Sequence, residues 1–214
     1  MKQNMNVYNY LFLKDKYPFK NKWFNSFILQ LENNNDIDNI SMMFEDIIGS
    51  CEVVQKDNEL IFVYFDDLEF NIKDIVLSIS EDFGINIIYF SLPRIYNNEN
   101  KFLEIYNLFI KYLSNKKQGV FGIGDLILEV LKNDFNDTLV IKNNVLGKVL
   151  NDPLNESLII GMFENNLNVL KTSKMIYMHR NTLNNKLEMI KKESGLNIQN
   201  FQDAVAMYLL IKMK

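Results

Sequence analysis

MIYMHRNTLNNKLEMI, residues 175–190, holds the only histidine of the chain, His179, followed directly by Arg180, Asn181 and Thr182. From Arg180 onward the apolar residues recur at helical spacing. With successive side chains turned by about 100°, Leu183, Leu187 and Ile190 share one side, which is expected to pack inward. Asn181, Asn185, Glu188 and Lys192 then point outward, Arg180 and Lys191 form one flank, and Thr182 and Lys186 form the other. Such a helix suits a DNA major groove, with amides toward base edges and basic or hydroxyl groups toward the phosphate walls, because an Asn amide pairs bidentately with adenine. It equally suits a solvated amphipathic helix whose asparagines reflect composition. His179 falls beside the apolar side. Packing or a local hydrogen bond is expected there rather than metal ligation, since the chain has no second histidine and its one cysteine, Cys51, is remote in sequence.

The neighbouring segments continue the helical pattern. Leu158, Ile159, Met162 and Phe163 form an apolar stripe, and a short helix capped by Asn168 runs to about Ile176. Gly195 ends the helix of the quoted stretch. Asn200 caps a last one, with Asp203 as its acidic third residue and Phe201, Ala204, Val205, Tyr208 and Leu209 as its stripe. Two short helices joined by the tight connection Tyr177-Met178 are a helix-turn-helix candidate, so 156–214 is expected to be an all-α domain. From Glu156 onward eight Lys and Arg face five Asp and Glu, a balance of +3; the first 155 residues carry fifteen against twenty-two, a balance of −7. The two parts are expected to do different work.

The front half alternates strand and helix signals. A strand is expected over Phe24–Glu32, a helix over Asp36–Gly49, and two strands at CEVVQK and LIFVYF joined by a two-residue turn, Asp57-Asn58. A helix over about 71–83 ended by Gly84, a strand at INIIYFS (85–91) and a helix over about 99–114 follow. The order is β-α-β-β-α-β-α, and its first six elements match the ferredoxin-like arrangement, an antiparallel sheet with helices on one face. The fold class is therefore α+β: a lead over 1–21, a ferredoxin-like domain over 22–114, a linker with two connecting helices over 115–155, and the helical domain. The linker opens on KKQGVFGIGD. Gly119, Gly122 and Gly124 lack the spacing of a phosphate loop, and a flexible connector is expected instead.

Composition narrows the function. The 214 residues are 48% hydrophobic and 23% charged, with net charge −4, values of an ordinary soluble globular chain. A lone cysteine permits neither an internal disulfide nor a thiolate metal cluster, and suits a reducing cytoplasm. No apolar run is long enough to cross a membrane or resembles an export signal. Asn-rich NNND (33–36) and NNEN (97–100) are expected loops. The acidic runs FDDLE and SEDFG have no His, Cys or glycine loop to work with and are expected to be solvated surface, so no reaction is expected.

FENNLNVLKTSKMIYMHRNTLNNKLEMIKKESGLNIQNFQDAVAMYLL, with its ENN-x-N start, its HRNTL, its spaced Leu and Ile and its SG-L ending, resembles the C-terminal helix-turn-helix of the carbohydrate-diacid and purine-catabolism regulators, the CdaR/PucR family. The order of the front elements resembles the degenerate GGDEF-like domain that precedes it in those regulators. The resemblance implies a cytoplasmic transcriptional regulator that binds double-stranded DNA, with an undefined small-molecule effector and no cofactor; the few cations of the helix and the acidic front part make a homodimer the expected binding form. It implies DNA contacts from Thr172, His179, Arg180, Asn181, Thr182, Asn184, Asn185 and Lys186, with Lys171 and Lys174 adding positive charge. The family commonly follows HRNTL with Arg-Tyr-Arg, whereas Asn184-Asn185-Lys186 stands here, which implies weak affinity per monomer. A working cyclase carries Gly-Gly-Asp/Glu-Glu-Phe at its hairpin tip. KDNEL (56–60) places Lys56 and Asp57 where the glycines admit nucleotide and Asn58 where a carboxylate assists the metal, leaving only Glu59. A protein on the same fold that binds a partner instead of DNA is the alternative.

Overall fold

The computed structural model describes residues 4–97 and 101–213. The chain divides into two compact units, Met1–Gly122 and Ile123–Lys214. In chain order the first contains α1 (Met5–Leu13), β1 (Trp23–Leu31), α2 (Ile37–Ile48), β2 (Cys51–Lys56), β3 (Glu59–Tyr64), α3 (Ile72–Phe83), β4 (Ile87–Ser91), β5 (Ile95–Tyr96), α4 (Lys101–Tyr112) and β6 (Gly119–Phe121). The sheet order is β2-β3-β1-β4-β6, with β5 paired to the start of β1. β1 runs antiparallel to β3, β4 and β5, and β2 antiparallel to β3. The expected two-residue turn joins β2 to β3, Lys56 facing Glu59, and Asp57 takes the positive φ, 54°.

Side chains alternate between the two faces of a strand, and here both faces are covered. Phe27, Leu29 and Leu31 of β1, Phe62 of β3 and Tyr89 of β4 pack with Ile37, Ile40 and Phe44 of α2 and Ile72, Val76 and Ile79 of α3. On the opposite face Phe90 of β4 stacks on Phe109 of α4, with ring centroids 4.8 Å apart and both side chains fully buried. The two helices of the six-element match, α2 and α3, lie on one face as expected, and α4, the helix that follows them, covers the other. The lead, too, is part of this unit. Asn4 caps α1, Val7, Tyr10 and Leu11 are buried, and Phe12 meets Phe102 and Tyr106 of α4 edge-on at 5.8 and 5.1 Å. The helix start expected at Glu99, and all but Asn97 of the loop expected over 97–100, lie outside the described residues.

The connector is not a free linker. Gly119, Val120 and Phe121 form β6, parallel to β4 and opposite Ile88, Tyr89 and Phe90, and so give partners to backbone groups that a sheet edge leaves bare. The next two helices, α5 (Ile123–Asn133) and α6 (Phe135–Leu150), were expected as connectors and belong to the second unit with α7 (Pro153–Glu164), α8 (Val169–Met175), α9 (Arg180–Ser194) and α10 (Phe201–Lys212). α5 packs on α10 and α6 on α9. Gly124 is buried inside α5, where a β-carbon would collide with the carboxylate of Asp203 on α10. Close helix approach accounts for this glycine.

Candidate nucleic-acid interface

The surface of α9 is set by how tightly α7 and α8 hold it. Asp152 caps α7, its Oδ1 accepting from the Leu154 amide at 3.0 Å, and Pro153 fills the first position, where a missing N–H costs no helical bond. Leu158, Ile159 and Met162 are fully buried. α7 closes with the Leu167 amide donating to Met162 O at 2.7 Å and the Asn166 amide to Phe163 O at 3.2 Å, the paired bonds that satisfy the last carbonyls of a helix. Asn168 then caps α8, accepting from the Lys171 amide at 3.0 Å. α7 and α8 approach closely because Gly161 has no side chain: a β-carbon there would stand 2.9 Å from Met175 Cε and 3.3 Å from Thr172 Cγ2. Thr172 is fully buried in this contact, its hydroxyl donating to Gly161 O at 3.3 Å. It is corrected from a DNA contact to a packing residue.

α8 ends by the same device. The Met178 amide donates to Ser173 O at 2.9 Å and the Tyr177 amide to Lys174 O at 3.4 Å, with Tyr177 in the left-handed region at φ 51°. His179 is extended and begins α9, its Nδ1 accepting from the Asn181 amide at 3.3 Å. The local bond expected of this histidine is thus a helix cap. Leu183, Leu187 and Ile190 are buried as their spacing predicts, and Gly195 ends α9 in the left-handed conformation at φ 75°. Asn200 caps α10, while the Asp203 carboxylate reaches past the cap to accept from the Asn197 amide at 3.0 Å. The stripe expected on α10 is corrected in part. Ala204 is buried, together with Ala206, Met207 and Leu210, whereas Phe201, Tyr208 and Leu209 are exposed.

His179, Arg180, Asn181, Thr182, Asn184 and Asn185 come together as exposed side chains at the head and outer side of α9. Lys186 does not join them. Its ammonium lies 3.2 Å from Oδ2 of Asp152, so the cation expected on the phosphate flank is tied to the cap of α7. The Leu154 amide first, and Lys186 second, hold the Asp152 carboxyl below its ordinary range. Lys191 pairs with Glu188 along the helix at 3.7 Å. Lys171, Lys174 and Arg180 are exposed and form no ion pair among the described residues.

Residues 159–213 match the family model of the PucR C-terminal helix-turn-helix domain. The chain carries a PucR-type helix-turn-helix. Within this PucR-type domain α8 and α9 are the two helices of the motif. A curated relative, the carbohydrate diacid regulator of Escherichia coli strain K12, is 28% identical over 89 residues, 41% of this chain and 23% of that protein. The match therefore spans less than a quarter of the relative's length. The crystal structure of a regulator of polyketide synthase expression from Bifidobacterium adolescentis aligns with 91% of this chain and 81% of its own at 11% identity and a TM-score of 0.40.

The hairpin tip of the first unit has its own arrangement. The Lys56 ammonium donates to Tyr106 Oη at 2.8 Å and lies over the rings of Phe12 and Tyr106. Tyr106 in turn donates to Glu59 at 2.6 Å. Glu59 is only 4% exposed, and burial pushes its carboxyl above the ordinary range, against the opposing pull of Tyr106 and Lys56. Asn58 donates its side-chain amide to Leu31 O, tying the tip to the end of β1. Among the described residues no cluster of three or more His, Cys, Asp or Glu is placed to hold a metal.

Proposed function

We propose that this protein is a DNA-binding transcriptional regulator, acting in the cytoplasm as a homodimer, whose α9 enters the major groove of double-stranded DNA. One observation carries the reading: the PucR-type domain over 159–213 presents Arg180, Asn181, Thr182, Asn184 and Asn185 as exposed side chains at the head and outer side of its second motif helix. Donors and acceptors of this kind read base edges, and a cation at the helix head meets phosphate. The first unit is proposed as a non-catalytic GGDEF-like domain for dimerisation or signal input. Two features support this: the antiparallel order β2-β3-β1-β4, and a hairpin tip whose Glu59, the carboxylate left at a motif position, is turned into a buried network with Tyr106. Lys56 and Asp57 stand where glycines would admit a nucleotide.

A second reading, a partner-binding protein on the same fold, is favoured by the engagement of Lys186 with Asp152 and by the acidic sequence pI of about 5.2. Capture of sheared genomic DNA by the purified full chain separates the two. Regulation by DNA binding predicts enrichment of a defined sequence. A folded protein that enriches none would support the second reading and overturn the first.

A further inference from the structure

The turn between α8 and α9 places a tyrosine where the backbone favours glycine. Tyr177 sits at φ 51° in the position that closes α8, a conformation that costs an L residue and costs glycine nothing. Gly84 and Gly195 meet the same demand at the ends of α3 and α9. Among the described residues nothing repays the tyrosine: Tyr177 is 98% exposed, so its ring gains no packing, and its hydroxyl has no hydrogen-bond partner there. A strained backbone position whose side chain has no internal contact points to a partner. The chemistry of that partner follows from the neighbours. Lys174 precedes Tyr177 by three residues and Arg180 follows it by three, and both are exposed cations without an ion pair among the described residues. An aromatic hydroxyl set in sequence between two such cations suits a polyanion whose oxygens accept hydrogen bonds.

We propose that Tyr177 is a DNA-positioning residue whose hydroxyl donates to a backbone phosphate oxygen and so fixes the depth and angle at which the head of α9 meets the duplex. This rests on the DNA reading above. Tyrosine is among the side chains that contact phosphates and set register without reading sequence. It lies outside the HRNTL run and reads in the sequence only as a connection.

The test uses the full chain and two duplexes of equal length, one carrying the sequence enriched from the genome and one random. Tyr177→Gly and Tyr177→Asn both tolerate the left-handed backbone, so thermal melting at or above the wild-type temperature is expected. Both variants should bind the two duplexes about tenfold more weakly, as loss of a hydrogen bond to a charged group implies. The ratio between the duplexes and the salt dependence should stay unchanged, because a neutral donor releases no counterion. Tyr177→Phe should reproduce the loss. Folded variants that bind like wild type would overturn the proposal, as would a Tyr177→Phe protein of full affinity or a collapse of the ratio between duplexes, which would signal base contact. Wild-type protein that binds neither duplex would sink the DNA reading itself and this inference with it, an outcome distinct from tight wild-type binding that the substitutions leave intact.

Discussion

Arg180 and Lys186 are cations of one helix in opposite circumstances: the first is exposed and unpaired among the described residues, and the second is held by Asp152 at 3.2 Å. Asp152→Asn keeps an oxygen to accept from the Leu154 amide and removes the carboxylate charge. Lys186 is then released toward DNA, and the expected outcome is tighter binding with a log-log salt slope steeper by about 0.9, one phosphate's worth. Fluorescence anisotropy across a salt series measures it; an unchanged slope would show that Lys186 does not reach the backbone. The sequence placed Lys186 on a flank of α9 and had no means to show its partner, which lies 34 residues away. Thr172 was misjudged for a related reason. Its burial follows from the missing side chain of Gly161, a contact between two helices that the spacing within α8 does not reveal.

Elements whose apolar residues follow one period were legible. The stripe Leu183, Leu187, Ile190 placed α9 correctly, and the asparagine and glycine signals found its neighbours' caps. Leu187 is 6% exposed, and Leu187→Ala is expected to destabilise the second unit by about 2 to 5 kcal/mol, read by urea denaturation; a loss under about 1 kcal/mol would mean that the site collapses around the smaller side chain. α10 was harder, because apolar residues occur all round it and packing against α5 decides which are covered. β6 was illegible: three residues carry too little pattern, and pairing with β4, some thirty residues earlier, makes them a strand. α1 escaped for a similar reason, since its value lies in covering α4.

The molecule's charge is divided, with +3 from Glu156 onward and −7 before it, and the motif cations that form no ion pair among the described residues, Lys171, Lys174 and Arg180, are few. One copy can neutralise only a handful of phosphates while its acidic part is repelled, so useful affinity calls for two linked half-sites. The expected target is an inverted repeat with half-sites roughly 10 bp apart or a multiple of it; sedimentation should show two protomers per duplex, and one protomer bound at full affinity to a non-palindromic site would contradict it. At this scale the sequence showed two modules and misplaced their border. A glycine-bearing run looked like a linker ahead of two connecting helices, whereas the border falls between Gly122 and Ile123 and both helices belong to the second unit. The central claim is that the exposed head of α9 recognises DNA, and the most direct test compares wild type with Arg180→Ala, and with the Arg180→Ala, Asn181→Ala double variant, on an enriched and a random duplex. Both variants are expected to melt like wild type, Arg180→Ala to bind more weakly with a salt slope shallower by about 0.9, and the double variant also to lose the preference for the enriched duplex. Folded variants that keep wild-type affinity and preference would contradict the claim.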